Sequence, residues 1–289
     1  MLADLDSLLT ALYVLADDLL PRRRGRGRPP RITDAEVVAL AAAQVLLDCP
    51  KERRFLRFAR ARLGHLFPYI PGQSGYNRRV RALAPQICLL CIQLARSSPS
   101  FCDRLRLLDA TPVPCGQSRK TVERSQLAGY AAYGYCAAHS RHFWGFKLYL
   151  ACAPDGMPIG FCLAPANEPE REVAAALLER TLIGGEIVIG DKGFAGAEFE
   201  EIVRSLGAQF VRPDRKDEPA RFGALGGIRQ WIEAIINQTK DALSLERHGG
   251  RTLEGVFARV ALRVLALAAA IWHNWQIDQP GRSLVAYDH

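Results

Sequence analysis

The chain has 289 residues, which allows one large domain and one small one. With 49% hydrophobic and 24% charged residues it is excluded from the disordered and low-complexity classes. A net charge of +8 argues against a polyanion-repelling surface and for a polyanionic partner.

In chain order, residues 2–20 form an amphipathic helix, with Leu5, Leu8, Leu9, Leu12 and Leu15 on one face and Pro21 as its stop. Residues 22–31 hold six arginines in ten positions, broken by Gly and Pro, and read as a linker. Thr33 with Glu36 three positions on is a capping box that starts a helix over about 34–48. Further helices follow at about 52–64, from near Ser74, and at about 84–96. The Ser97–Ser100 stretch marks a domain boundary, giving a helical domain over residues 1–98 and a second domain over 99–289.

The second domain changes character. Residues 105–110 read as a strand, 111–141 as a long polar loop, and 143–153 and 157–164 as a hairpin turned by Pro154-Asp155-Gly156. Then come a helix at 170–182, a strand at 186–190, a helix at 197–206, a strand at 209–212, and two helices at about 228–243 and 253–275. The expected class is α/β, a mixed sheet with flanking helices preceded by a helical domain. The apolar stretch 260–270 is interrupted by Arg263 and is too short to span a bilayer. Asp4 and Asp6 stand where a secretory signal would be basic, so the eight cysteines are expected as free thiols and the protein in the cytoplasm, with no membrane partner.

Three acids stand out. Asp109 ends the run Arg-Leu-Leu-Asp, Asp191 ends Glu-Ile-Val-Ile-Gly-Asp, and Glu233 lies inside the helical pattern Arg229-x3-Glu233-x6-Lys240. Phosphodiester cleavage needs an activated water and a stabilised leaving oxygen, and two cations held by carboxylates supply both. Hard cations such as Mg²⁺ take oxygen ligands and keep several waters, so a few acids suffice. Strand ends fix a backbone and let the side chain project beyond it. On the helix, Arg229, Glu233, Ile236 and Lys240 line a stripe beside the apolar stripe of Ile228, Ile232 and Ile235, which sets Glu233 at the edge of the buried face. Each acid alone reads equally as a turn residue or a surface pair. Glu246, in Leu-Ser-Leu-Glu-Arg-His-Gly-Gly, is the rival third acid, and a ligand on a rigid helix is better positioned than one at a turn. Spacing alone gives a metal-dependent nuclease.

The order of these acids resembles that of a DDE transposase of a bacterial insertion sequence, with an RNase H-like core. The pattern Tyr-x2-Arg-x3-Glu-x6-Lys of that broad group is met by Arg229, Glu233 and Lys240, with Gly226 where Tyr would stand. The segments Tyr133–Ser140, Phe143–Lys147, Asp191–Phe194 and Glu246–Leu253 are similar to the insertion-sequence group numbered nine hundred eighty-two. The resemblance covers about residues 30–275. It implies a transposase acting on terminal inverted repeats by strand cleavage and strand transfer. It also implies Asp109, Asp191 and Glu233 holding two Mg²⁺ (Mn²⁺ substituting), Arg229 and Lys240 neutralising phosphate, and a homodimer assembled on transposon-end and target DNA. The other readings are an RNase H-like nuclease and a non-catalytic transposase-derived DNA-binding protein.

Residues 51–96 hold ten Lys/Arg and one acid. Arg53, Arg57 and Arg60 share a helical face, and Arg78, Arg79 and Arg81 cluster on the next helix, as suits phosphate contacts, so the helical domain over residues 1–98 is expected to bind DNA. Arg26 and Arg28, in Arg-Gly-Arg-Pro, resemble a minor-groove arm. Arg119 and Lys120 lie in the loop after Asp109, within reach of a DNA end. Cys88-x2-Cys91 with Cys136-x2-His139 has permitted zinc spacing. The first pair, however, lies in an apolar helical run where cysteine serves as a small hydrophobe. No dinucleotide or phosphate-loop signature is present.

Overall fold

The computed structural model describes residues 4–21, 30–116, 118–136, 140–214, 219, 221–222, 225–284 and 287. The helical elements of the first half are α1 (Leu5–Leu19), α2 (Asp34–Leu46), α3 (Glu52–Arg62), α4 (Gln73–Ala82) and α5 (Ala84–Arg96). The second half runs β1 (Leu105–Gly116), α6 (Arg119–Glu123), β2 (Ala132–Cys136), β3 (Arg141–Cys152), β4 (Pro158–Pro165), α7 (Glu170–Thr181), β5 (Ile187–Ile189), α8 (Ala197–Ser205), β6 (Gln209–Val211), α9 (Gly226–Asp241) and α10 (Leu253–Gln276). The chain divides into two compact units. One joins residues 1–94 to 239–289, and the other spans 95–238. The last helix therefore falls in the same unit as α1–α4 and most of α5, whereas the sequence boundary at 98 placed it with the sheet.

In the first unit α2 and α10 are the core. Thr33 caps α2, its hydroxyl accepting from the Glu36 N–H while the Glu36 carboxylate accepts from the Thr33 N–H. Ten of the thirteen α2 side chains are buried, so the helix needs neighbours all round, and α1, α4 and α10 pack on it. The α10 helix is 24 residues, longer than the apolar stretch read from sequence, and long and apolar enough to cross a membrane by length and composition. Its apolar window is 83% buried inside the protein, as in a core helix. Arg263, within it, is 5% exposed and donates to the carbonyls of Ser244 and Arg259. Burial holds its pKa down at about 10.

The second unit is a mixed α/β layer structure with the expected mixed sheet and flanking helices. Its sheet has the order β2-β3-β1-β5-β6, with β4 on β3. The strands β1, β3, β4 and β2 pair antiparallel, and β5 and β6 continue parallel from β1. One face is covered by α7 and α8 through a core of Leu108, Tyr149, Leu178, Phe194, Phe199 and Phe210. Phe199 meets Phe210 edge-on with ring centroids 5.0 Å apart.

The polar stretch after Asp109 is not one loop. β1 continues to Gly116 on β3, and α6 and β2 follow. Pro112 and Pro114 hid this, because proline cannot donate to a ladder. They are two residues apart, so both missing N–H groups fall on one edge. That edge is the one β5 leaves, since it pairs with β1 over Leu105–Leu107. At the bulge near Pro114 the strands come so close that a Cβ on Gly145 would lie 2.2 Å from the Val113 carbonyl oxygen.

Candidate active site

The register of β1 and β5 defines the site. Leu105, Arg106 and Leu107 lie opposite Ile187, Val188 and Ile189 in a parallel pair. Asp109 stands two residues beyond Leu107, and Asp191 stands two beyond Ile189. Side chains alternate along a strand, so both acids carry the parity of that last pair. The sheet thus brings the two aspartates to one edge, where β5 ends and β1 runs on alone beside β3. Asp109 is half-buried, and its Oδ1 accepts from the Ala110 N–H at 2.7 Å. Asp191 is exposed, and its Oδ1 accepts from the Lys192 N–H at 2.6 Å, capping the 3₁₀ turn Lys192–Phe194. Beneath Asp109, the buried Cys152 thiol has its pKa pushed up by burial, then by Asp155 and Asp109.

Glu233 lies on α9 and is exposed, while Ile232, Ile235 and Ile236 of the same helix are buried. Lys240 is half-buried in the last turn of α9, and the side chain of Arg229 lies outside the described residues. Among the described residues no group of three or more His, Cys, Asp and Glu is gathered closely enough to hold a metal. Asp109 and Asp191 offer the carboxylate oxygens a hard cation takes, from neighbouring strands, and so fit one. Glu233 is not gathered with them into a three-acid group. The rival Glu246 is half-buried in the 3₁₀ turn Leu245–Arg247 of the other unit.

Residues missed by sequence reasoning surround the Asp191 turn. Lys147 donates to Glu170 Oε1 at 2.6 Å, with the lysine side chain 12% exposed. The other oxygen of Glu170 would lie 3.3 Å from a Cβ on Gly193, so this carboxylate abuts the turn that carries Asp191. Arg171 Nη1 donates to the Ala195 carbonyl at 3.2 Å. The N-terminus of α7 therefore clasps residues 193–195. Glu170 reads in sequence as an ordinary acid at a helix start, and only the β3–α7 packing reveals its contact.

The expected DNA contacts divide. Arg53, Arg57 and Arg78 are exposed. Arg79 departs from expectation. Its guanidinium donates to the Ile32 carbonyl and pairs with Asp34 at 15% exposure, locking α4 to the start of α2. Arg60 likewise donates to the carbonyls of Leu56 and Pro71, closing a loop. Arg119 pairs with Glu123 along α6, and Lys120 beside it is exposed. Arg26, Arg28 and His139 lie outside the described residues. Cys88 and Cys91 both lie on α5, where burial pushes the Cys88 thiol up to about 11 and raises that of Cys91 well above its ordinary value.

Asp109, inside β1, and Asp191, just past β5, thus stand on neighbouring strands of a mixed sheet. The model described as the transposase DDE domain matches residues 100–269, more than half of the chain. The chain belongs to this DDE transposase family. A comparison with curated proteins gives no match.

Proposed function

We propose that the protein is an insertion-sequence transposase that binds terminal inverted repeats and catalyses Mg²⁺-dependent strand cleavage and strand transfer. The observation that carries this reading is the in-register placement of Asp109 and Asp191 beyond Leu107 and Ile189, inside the matched domain. The strand arrangement, antiparallel β4-β3-β1 followed by parallel β5 and β6, supports an RNase H-like core. The segments quoted above support the insertion-sequence group numbered nine hundred eighty-two.

Asp109, Asp191 and Glu233 would hold the metal, which when bound supplies an activated water and a stabilised leaving oxygen. The sheet fixes the two aspartates, the clasp of α7 orients the Asp191 turn, and Arg229 and Lys240 of α9 neutralise phosphate. Because two DNA ends must be brought together, the working form is a homodimer on DNA, acting at the nucleoid in the cytoplasm.

The test is incubation of the purified chain with labelled transposon-end duplex and supercoiled target in Mg²⁺. Joined end–target products are the expected result. Cleavage without joined products would make the protein a nuclease. Binding without cleavage would make it a non-catalytic descendant.

A further inference from the structure

The unit formed by residues 1–94 and 239–289 carries an open groove of about 520 Å³. Three segments far apart in sequence wall it: the start of α3, the exposed side of α4, and the turn at 249–252 with the first turn of α10. Lys51, Arg53, Arg81, Arg251 and Arg259 line it. Its one acid, Glu52, is already spent, since Glu52 Oε1 accepts from Asn77 Nδ2 at 2.7 Å and pairs with Arg259. Of the five lining cations, only Arg259 has an ion pair among the described residues.

A further fact points to an anion. Arg81 is half-buried with its stem against Gly255. The cations also gather at the N-terminus of the 24-residue α10, the positive end of that helix. Like charges at a positive helix end repel one another, and an anion at that position relieves the cost. The positive surface does not stop at the groove. Arg57 lies one turn beyond Arg53 on the exposed side of α3, and Arg78 is exposed on α4. A line of cations longer than the groove suits a chain of phosphates better than a single one.

We propose that this groove seats the phosphate backbone of duplex DNA, with Arg81 and Arg251, from opposite ends of the chain, on the same strand. The proposal rests on the transposase reading above, and adds to it a DNA-holding surface built in part by the C-terminal segment. The contacts are to phosphate, so they position DNA and carry no sequence preference.

The experiment measures binding of a labelled random-sequence duplex to the full-length chain by fluorescence anisotropy over a range of salt, in Ca²⁺. It compares wild type with Lys51→Gln, Arg251→Gln and Arg81→Gln. Lys51 and Arg251 are exposed, so those two variants test the groove even if Arg81→Gln unfolds. Arg204→Gln, at an exposed position of the other unit, is the control. Each groove variant is expected to weaken binding several-fold for every sequence and to lower the salt slope by about one, against no change for the control. Folded Lys51→Gln and Arg251→Gln proteins with wild-type affinity and slope would overturn the groove while leaving the transposase reading intact. A wild-type chain that binds no duplex at low salt would overturn the transposase reading itself, and the groove with it.

Discussion

At the scale of single residues, the choice of third acid is open to direct test. The sequence argument preferred Glu233 because a helix holds a ligand more rigidly than a turn. In the structure the turn of Glu246 is itself well held. Ser244, at φ 53°, donates to Asp48, Arg247 reaches the same carboxylate at 2.8 Å, and Arg263 donates to the Ser244 carbonyl. Rigidity therefore no longer separates the two acids, and the preference rests on the Arg229-x3-Glu233-x6-Lys240 pattern. Glu233→Gln is expected to lose end cleavage while Glu246→Gln keeps it. The reverse result would move the third ligand to Glu246. The Lys147–Glu170 pair makes a second prediction. Lys147→Met leaves the Glu170 carboxylate beside the Asp191 turn without its charge partner, which costs on the order of 1–2 kcal/mol of stability. Adding Glu170→Gln should recover part of it, as thermal unfolding of both variants would show. Equal losses in the single and double variants would mean that the pair does not act as one.

At the scale of elements, what the sequence showed was local. The Thr33–Glu36 capping box, the amphipathic stripe of α1 and the Pro154-Asp155-Gly156 turn each depend on neighbours within a few residues, and each appears in the structure. The continuation of β1 through two prolines depends on a distant partner, β3, and on the early end of β5, so no local pattern contained it. The same holds for Arg79, whose carbonyl and carboxylate partners lie some forty-five residues away. The end of α10 offers a test in pH. His273 is 1% exposed, its Nδ1 is 2.8 Å from the Tyr287 hydroxyl, and burial lowers its pKa below the ordinary 6.5. In the unfolded chain it binds its proton at the ordinary value, so the unfolded state takes up protons first as pH falls. The stability tied to neutral His273 is thus whole above about pH 6.5 and declines below it. The melting temperature of wild type should fall between pH 7 and pH 5, and that of His273→Gln should start lower and change less. Parallel curves for the two proteins would remove His273 from the account.

At the scale of the whole molecule, the discontinuous first unit changes what can be cut from the chain. Residues 1–98 look like a self-contained helical domain in sequence. The core helix α2, however, packs on α10, and α1 and α4 also meet α10. A fragment of residues 1–98 would expose the face of α2 that α10 covers, so it is expected to lack a cooperative thermal transition. Joining it to residues 239–289 should restore one. A cooperative melt of the short fragment would show that α10 is dispensable. Asp109 and Asp191 stood out in the sequence because each follows an apolar run, although β1 continues past Asp109 to Gly116. Their common register was not, because it is a property of two strands some eighty residues apart. That register is the centre of the functional account, and one measurement tests it most directly. Labelled transposon-end duplex is cut in Mg²⁺ by wild type, Asp109→Asn, Asp191→Asn and the double variant, beside a binding assay in Ca²⁺. The expected result is that each single variant loses cleavage, the double is hardly worse than either, and binding survives in all, as for ligands acting as a unit. Near wild-type cleavage by either single variant would contradict the claim that Asp109 and Asp191 form one catalytic centre.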